Sequence, residues 1–197
     1  MRQRTRVPVP ERPEPVAADV DPTGEWVTID GVDYRRVVLC FIFRSGRGTR
    51  DVLLGFKRAG FGSGRVVAIG GKIDGSESAL EAAVREVAEE SGMTLAPSGV
   101  HDAGRITWSF PAQPGWNMAA TLFTTDITTD VTAEGEDVEP VACEEIEPRW
   151  YAVDSIPWHT MWKDAPHWIP FLLDGKRVDA HIVMAVDNEN VAHAVVT

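Results

Sequence analysis

The chain has 197 residues and a formal net charge of −11, from 30 acidic and 19 basic side chains. That length suits one domain with a real core. The acidity argues against a general nucleic-acid binder, which needs a basic surface. Cys40 and Cys143 are too few for a disulfide framework or a metal knuckle.

Residues 1–24 carry Arg2, Arg4, Arg6 and Arg12 among five prolines and few apolar anchors, which reads as a solvated, disordered tail ahead of a domain over 25–197. The N-terminus has no apolar core of a signal peptide, and the longest apolar run, residues 37–43, is far short of a membrane span. A cytoplasmic protein without a membrane partner is expected. Residues 37–43 and 52–57 read as paired strands around the Ser45-Gly46-Arg47-Gly48-Thr49 turn. Gly60-Phe61-Gly62-Ser63-Gly64 and, after a short apolar run, Gly70-Gly71 follow; glycines this dense let backbone N–H groups approach an anion.

A helix is expected next. Ser78 with Glu81 three residues later reads as a capping box, and Leu80, Ala83, Val84 and Val87 share an apolar face. Glu86, Glu89 and Glu90 share another arc, with Arg85 at its edge. Glutamate suits an ordinary solvated helix face. Carboxylates at i, i+3 and i+4, however, repel by roughly 1–3 kcal/mol per pair. A hard cation such as Mg²⁺ would relieve that repulsion.

Beyond the helix, residues 103–110 and 118–125 read as strands, 126–147 as an acidic loop, and 149–153 as a further strand. Residues 154–162 read as a capped turn, 166–173 as a helix, and 178–186 with 191–196 as a hairpin around Asn188-Glu189-Asn190. Strands flanking two helical segments in a mixed order give an α+β or α/β/α layered fold.

The spacing Gly71-x5-Glu77-x7-Arg85-Glu86-Val87-x-Glu89-Glu90-x-Gly92-Met93 resembles the Nudix box at every defined position. Leu53-Leu54-Gly55, Lys57, Gly60-Phe61-Gly62, Ile156-Pro157, Met161-Trp162, Trp168 and Pro170 extend the likeness over residues 36–197, to the MutT-homologue branch that hydrolyses oxidised purine nucleoside triphosphates. The resemblance implies an α/β Nudix fold, an α/β/α sandwich with a mixed sheet and a loop–helix–loop catalytic motif. It also implies Mg²⁺-dependent hydrolysis to a monophosphate and pyrophosphate, as in nucleotide-pool sanitisation, with Mn²⁺ as an alternative ion. It assigns Glu86, Glu89, Glu90, the Gly70 carbonyl and Glu145 to the metal. Either Glu86 or Glu89 activates the attacking water, and Arg85 orients Glu77 and the glutamates. Lys57 serves as the phosphate cation.

For the substrate, the likeness points to Phe61, Ile69, Gly70, Gly71, Lys72, Trp108, Phe110, Met118, Trp162, Asp164 and Trp168, and seven tryptophans suit a cleft for a planar base. Two departures concern base recognition. Val67 stands where the family has a base-reading asparagine, and Ala165 where it has a second aspartate. Loss of a hydrogen-bond reader changes discrimination by orders of magnitude. Another nucleotide or nucleoside diphosphate derivative is therefore the alternative substrate, and a non-catalytic nucleotide-binding module the alternative class. The expected partner is a small-molecule nucleotide, bound by a monomer or small homo-oligomer.

Overall fold

A computed structural model describes residues 19–46, 49–128 and 139–197. Its strands are β1 (Asp19–Val20), β2 (Trp26–Ile29), β3 (Val32–Gly46), β4 (Thr49–Lys57), β5 (Val66–Ala68), β6 (His101–Ser109), β7 (Met118–Thr128), β8 (Ile146–Ala152), β9 (Val178–Met184) and β10 (Val191–Val196). Two α-helices, α1 (Ala79–Ser91) and α2 (Ala165–Leu173), accompany them. The sheet runs β1-β2-β3-β7-β6-β9-β10, and β4 leaves this path to pair with β3, β5 and β8. The β3–β7 and β6–β9 pairs are parallel and the others antiparallel, so the sheet is mixed.

The long central strand β3 explains the layering. Its side chains alternate between faces, as extended backbone requires. Val37, Phe41 and Phe43 enter one core, with Trp168, Ile169 and Leu172 of α2. Val38, Cys40 and Ile42 enter a second core, with Ala82, Ala83 and Val87 of α1. One helix on each face makes the expected α/β/α sandwich. No helix of the described residues is long and apolar enough to cross a membrane.

The expected elements recur with shifted ends. The first ordered strand lies earlier than expected: Asp19 and Val20 pair with Thr28 and Val27, inside the stretch assigned to the tail. Residues 1–18 lie outside the described residues, as do Arg47 and Gly48 of the first turn and 129–138 of the acidic loop. The capped turn is two 3₁₀ turns, Val153–Ser155 and Trp158–Thr160.

Candidate active site

Helix α1 is fixed at both ends. The Ser78 hydroxyl accepts from the Glu81 N–H at 3.2 Å, and Glu81 accepts from the Ser78 N–H at 2.8 Å. Gly92, at φ 70°, closes the helix by donating its N–H to the Ala88 carbonyl. The buried face centres on Ala83, Val87 and Glu90, with Ala82 beside them; Leu80 and Val84 are only partly covered. Glu90 is thus turned inward, 4 % exposed. Its Oε2 accepts from the Gly70 N–H at 2.9 Å and its Oε1 from Lys57 Nζ at 3.2 Å. Burial raises the Glu90 carboxyl, opposed by that N–H and that ammonium.

Gly70 and Gly71 are where backbone meets carboxylate. Gly70 sits at φ 148°, and a Cβ there would lie 2.1 Å from the Val38 carbonyl oxygen. A Cβ on Gly71 would lie 2.4 Å from Glu86 Oε1, so glycine lets the glutamate pack onto the loop. The Ile69 and Gly71 carbonyls are taken by the Cys40 and Val38 N–H groups, both at 2.8 Å. Among the described residues no N–H donates to the Gly70 carbonyl between them. Burial pushes the Glu86 carboxyl up to about 6 against the pull of Arg85, with the charges of Glu90 and Glu89 adding to the rise.

Arg85 is the hub of the row. It reaches Glu77 at 2.6 Å, Glu86 at 3.0 Å, Glu89 at 3.1 Å and the Lys72 carbonyl at 3.0 Å. This guanidinium holds the Glu77 carboxyl below its ordinary value. Lys57 is the second cation, 2.7 Å from Glu145 Oε1. Burial opposes its charge, but Glu145 and Glu90 outweigh burial and raise its pKa.

Arg85 and Lys57 are interposed among the carboxylates, so among the described residues no three acidic, His or Cys side chains converge as a ready-made cation site. The donor chemistry still fits a hard divalent ion. Glu86, Glu89, Glu90, Glu145 and the Gly70 carbonyl offer only oxygen; Glu90 is buried and Glu86 half-buried, and burial raises the pKa of both.

One cleft of about 710 Å³ runs from Glu86, Glu89 and Glu90 to an aromatic end. Trp108, Trp116, Trp162 and Trp168, four of the seven tryptophans, line it. Phe61 stacks on Trp162 with centroids 5.2 Å apart, and meets Trp116 edge-on at 5.3 Å and Phe110 at 6.2 Å. Lys72, Phe110 and Met118 also line the cleft. Asp164 is buried, and its Oδ2 accepts from both Trp108 Nε1 at 2.7 Å and Trp168 Nε1 at 2.8 Å. Burial raises its carboxyl, opposed by those two indoles.

One expected substrate residue is elsewhere. Ile69 is fully buried in the core beneath α1, because the strand alternation that turns Ala68 toward the cleft turns Ile69 away. Trp116, Arg35 and Arg65 are among the residues in or beside the cleft that were not anticipated. Trp116 enters from the 3₁₀ turn Pro114–Trp116, a tryptophan in a turn being its only signal. Arg35, paired with Met118 across β3 and β7, also lines the cleft. Arg65 lies 4.1 Å over the Trp162 ring and pairs with Glu189 of the β9–β10 turn at 2.5 Å.

A NUDIX domain family model matches residues 33–172. The oxidized purine nucleoside triphosphate hydrolase of Mus musculus is 35% identical over 130 residues, which are 66% of this chain and 76% of the mouse protein. Its namesake in Danio rerio is 36% identical over 141 residues, 72% of this chain and 81% of that protein. Among solved structures, a MutT protein from Bacillus halodurans superposes with a TM-score of 0.60 at 24% identity, covering 82% of this chain and 96% of that one.

Proposed function

The chain belongs to the Nudix family and is a hydrolase of pyrophosphate bonds, and from that premise we propose that it converts nucleoside triphosphates, oxidised purines foremost, to the monophosphate and pyrophosphate. The observation that carries this reading is the single cleft with a carboxylate row at one end and an aromatic wall at the other. A triphosphate and a planar base fit those two ends in that order.

The divalent ion, when bound, neutralises phosphate charge as the anhydride breaks. Glu86, Glu89, Glu90, Glu145 and the Gly70 carbonyl are the residues that would hold it. Arg85 fixes Glu86 and Glu89 from one side chain, so their spacing does not depend on the substrate. One of that pair takes the proton of the attacking water. Glu86 packs on Gly71, and Glu89 stands open to solvent. The two indole N–H groups on Asp164 hold its carboxylate at the aromatic end, where it would face one edge of a bound base.

A nucleotide panel with Mg²⁺, scored by product identity, tests this reading: monophosphate plus pyrophosphate is expected, and release of orthophosphate alone would sink it. Val67, Ala165 and the engagement of Asp164 by two indoles favour a second reading, a Nudix hydrolase with a different nucleotide or nucleoside diphosphate derivative as substrate. Comparing kcat/KM for oxidised and normal purine triphosphates decides between them.

A further inference from the structure

Lys57 closes β4 at the rim of the carboxylate row, with only 11% of its side chain exposed. Its ammonium lies 3.2 Å from Glu90 Oε1 and 2.7 Å from Glu145 Oε1, bridging a helix and a loop that no other cation links among the described residues. Both partners belong to the oxygen set that fits a divalent ion. We propose that Lys57 is the internal counter-ion of the metal site: it holds Glu90 and Glu145 together until a divalent ion enters, and that ion displaces its ammonium toward the substrate phosphates. This inference rests on the metal-dependent reading above.

Electrostatics sets the direction. Glu90 is buried and needs a nearby positive charge at every stage. A divalent ion takes carboxylate oxygens at about 2.1 Å, which would place it within a few ångströms of the ammonium. Two cations so close beside the buried Glu90 carboxylate repel strongly, so one leaves. The ion offers Glu90 the larger charge, and Lys57 has a flexible stem and lines the same cleft. Glu145 is equipped for the exchange. Its carbonyl is anchored by the Arg58 N–H at 2.7 Å, while its side chain is 55% exposed. The phosphate cation thus becomes free only once the ion has arrived, which orders ion before substrate.

Mn²⁺ binding without nucleotide, read from the electron paramagnetic resonance signal of the free ion, tests this in the full chain. Lys57→Met should bind Mn²⁺ about tenfold more tightly than wild type, because a repelling charge is gone. Lys57→Arg, which keeps the charge, should bind no more tightly than wild type. Unchanged or weaker binding by Lys57→Met, or tighter binding by Lys57→Arg, overturns the inference alone. Absence of Mn²⁺ binding by wild type overturns both it and the reading it rests on. If Lys57→Met does not fold, acetylation of wild-type Lys57 followed by mass spectrometry keeps the test. Mg²⁺ should accelerate that modification severalfold, and an unchanged rate overturns the inference.

Discussion

Two adjacent glycines do different work, and their alanine variants should separate the two. At Gly70 an added Cβ meets the Val38 backbone oxygen at 2.1 Å, and its φ of 148° disfavours any L side chain. Gly70→Ala should cost about 2 kcal/mol or more of folding stability, seen in urea unfolding. At Gly71 the obstacle is the end of the Glu86 side chain, which can swing away. Gly71→Ala should keep near-normal stability and lose at least about tenfold in kcat, since Glu86 is displaced. Glu86 also sets a pH dependence. Its carboxyl is raised to about 6 in the folded protein, against about 4.3 in an unfolded chain. The folded state holds that proton more tightly, so this group's stabilisation is present below about pH 4.3 and lost as pH rises through 6. In EDTA at pH 7, Glu86→Gln should therefore melt higher than wild type, and the difference should vanish near pH 4. A gap that widens toward low pH would contradict the burial argument.

At the scale of elements, α1 was the most legible part of the chain and the cleft wall the least. The capping box, the closing glycine and the acidic arc are written in local spacing, because a helix brings i, i+3 and i+4 together whatever surrounds it. Turning Glu90 inward needed more: its partners Gly70 and Lys57 lie on other segments, and no helical period contains them. The family likeness points to Ile69 as a cleft residue, but one step along a strand changes the face, and residue order does not say which face is wet. Arg35 and Trp116 join the site through the parallel β3–β7 pairing and the turn before β7, contacts made across distant sequence. Ser78→Ala breaks the capping box and should lower stability by about 1 kcal/mol, measured by thermal melting, with the active-site row intact. The β9–β10 turn acts on the cleft at long range. Glu189 holds Arg65 over Trp162. Glu189→Gln should raise KM about two- to fivefold, as befits a partly exposed ion pair, and leave kcat unchanged. A fall in kcat instead would place the pair in the chemistry.

Over the whole molecule, the two cores hold the site between them. Tryptophans 108 and 168 belong to the core under α2 and also line the cleft, and Val87 of α1 anchors the helix that carries the glutamates to the other core. The two ends of the cleft are thus anchored to cores on opposite faces of one sheet. The protein carries a net charge of −11 and presents carboxylates to a polyanion. Without a divalent ion, long-range repulsion and the local glutamates both oppose a triphosphate, while the aromatic end is indifferent to charge. A non-hydrolysable nucleoside triphosphate analogue in EDTA should therefore leave the melting temperature unchanged. With Mg²⁺ present and the analogue at about 100 times its dissociation constant, the gain is about 2.7 kcal/mol. For a chain of this size that corresponds to roughly 5–10 °C. The corresponding uncharged nucleoside, held by the aromatic wall alone, should give a small shift that is the same with and without Mg²⁺. Added salt should weaken the repulsion and so narrow the gap between the EDTA and Mg²⁺ melts of the triphosphate. An analogue that stabilises equally well in EDTA would mean that Arg85 and Lys57 alone carry the phosphates, and that the carboxylate row serves some purpose other than holding an ion.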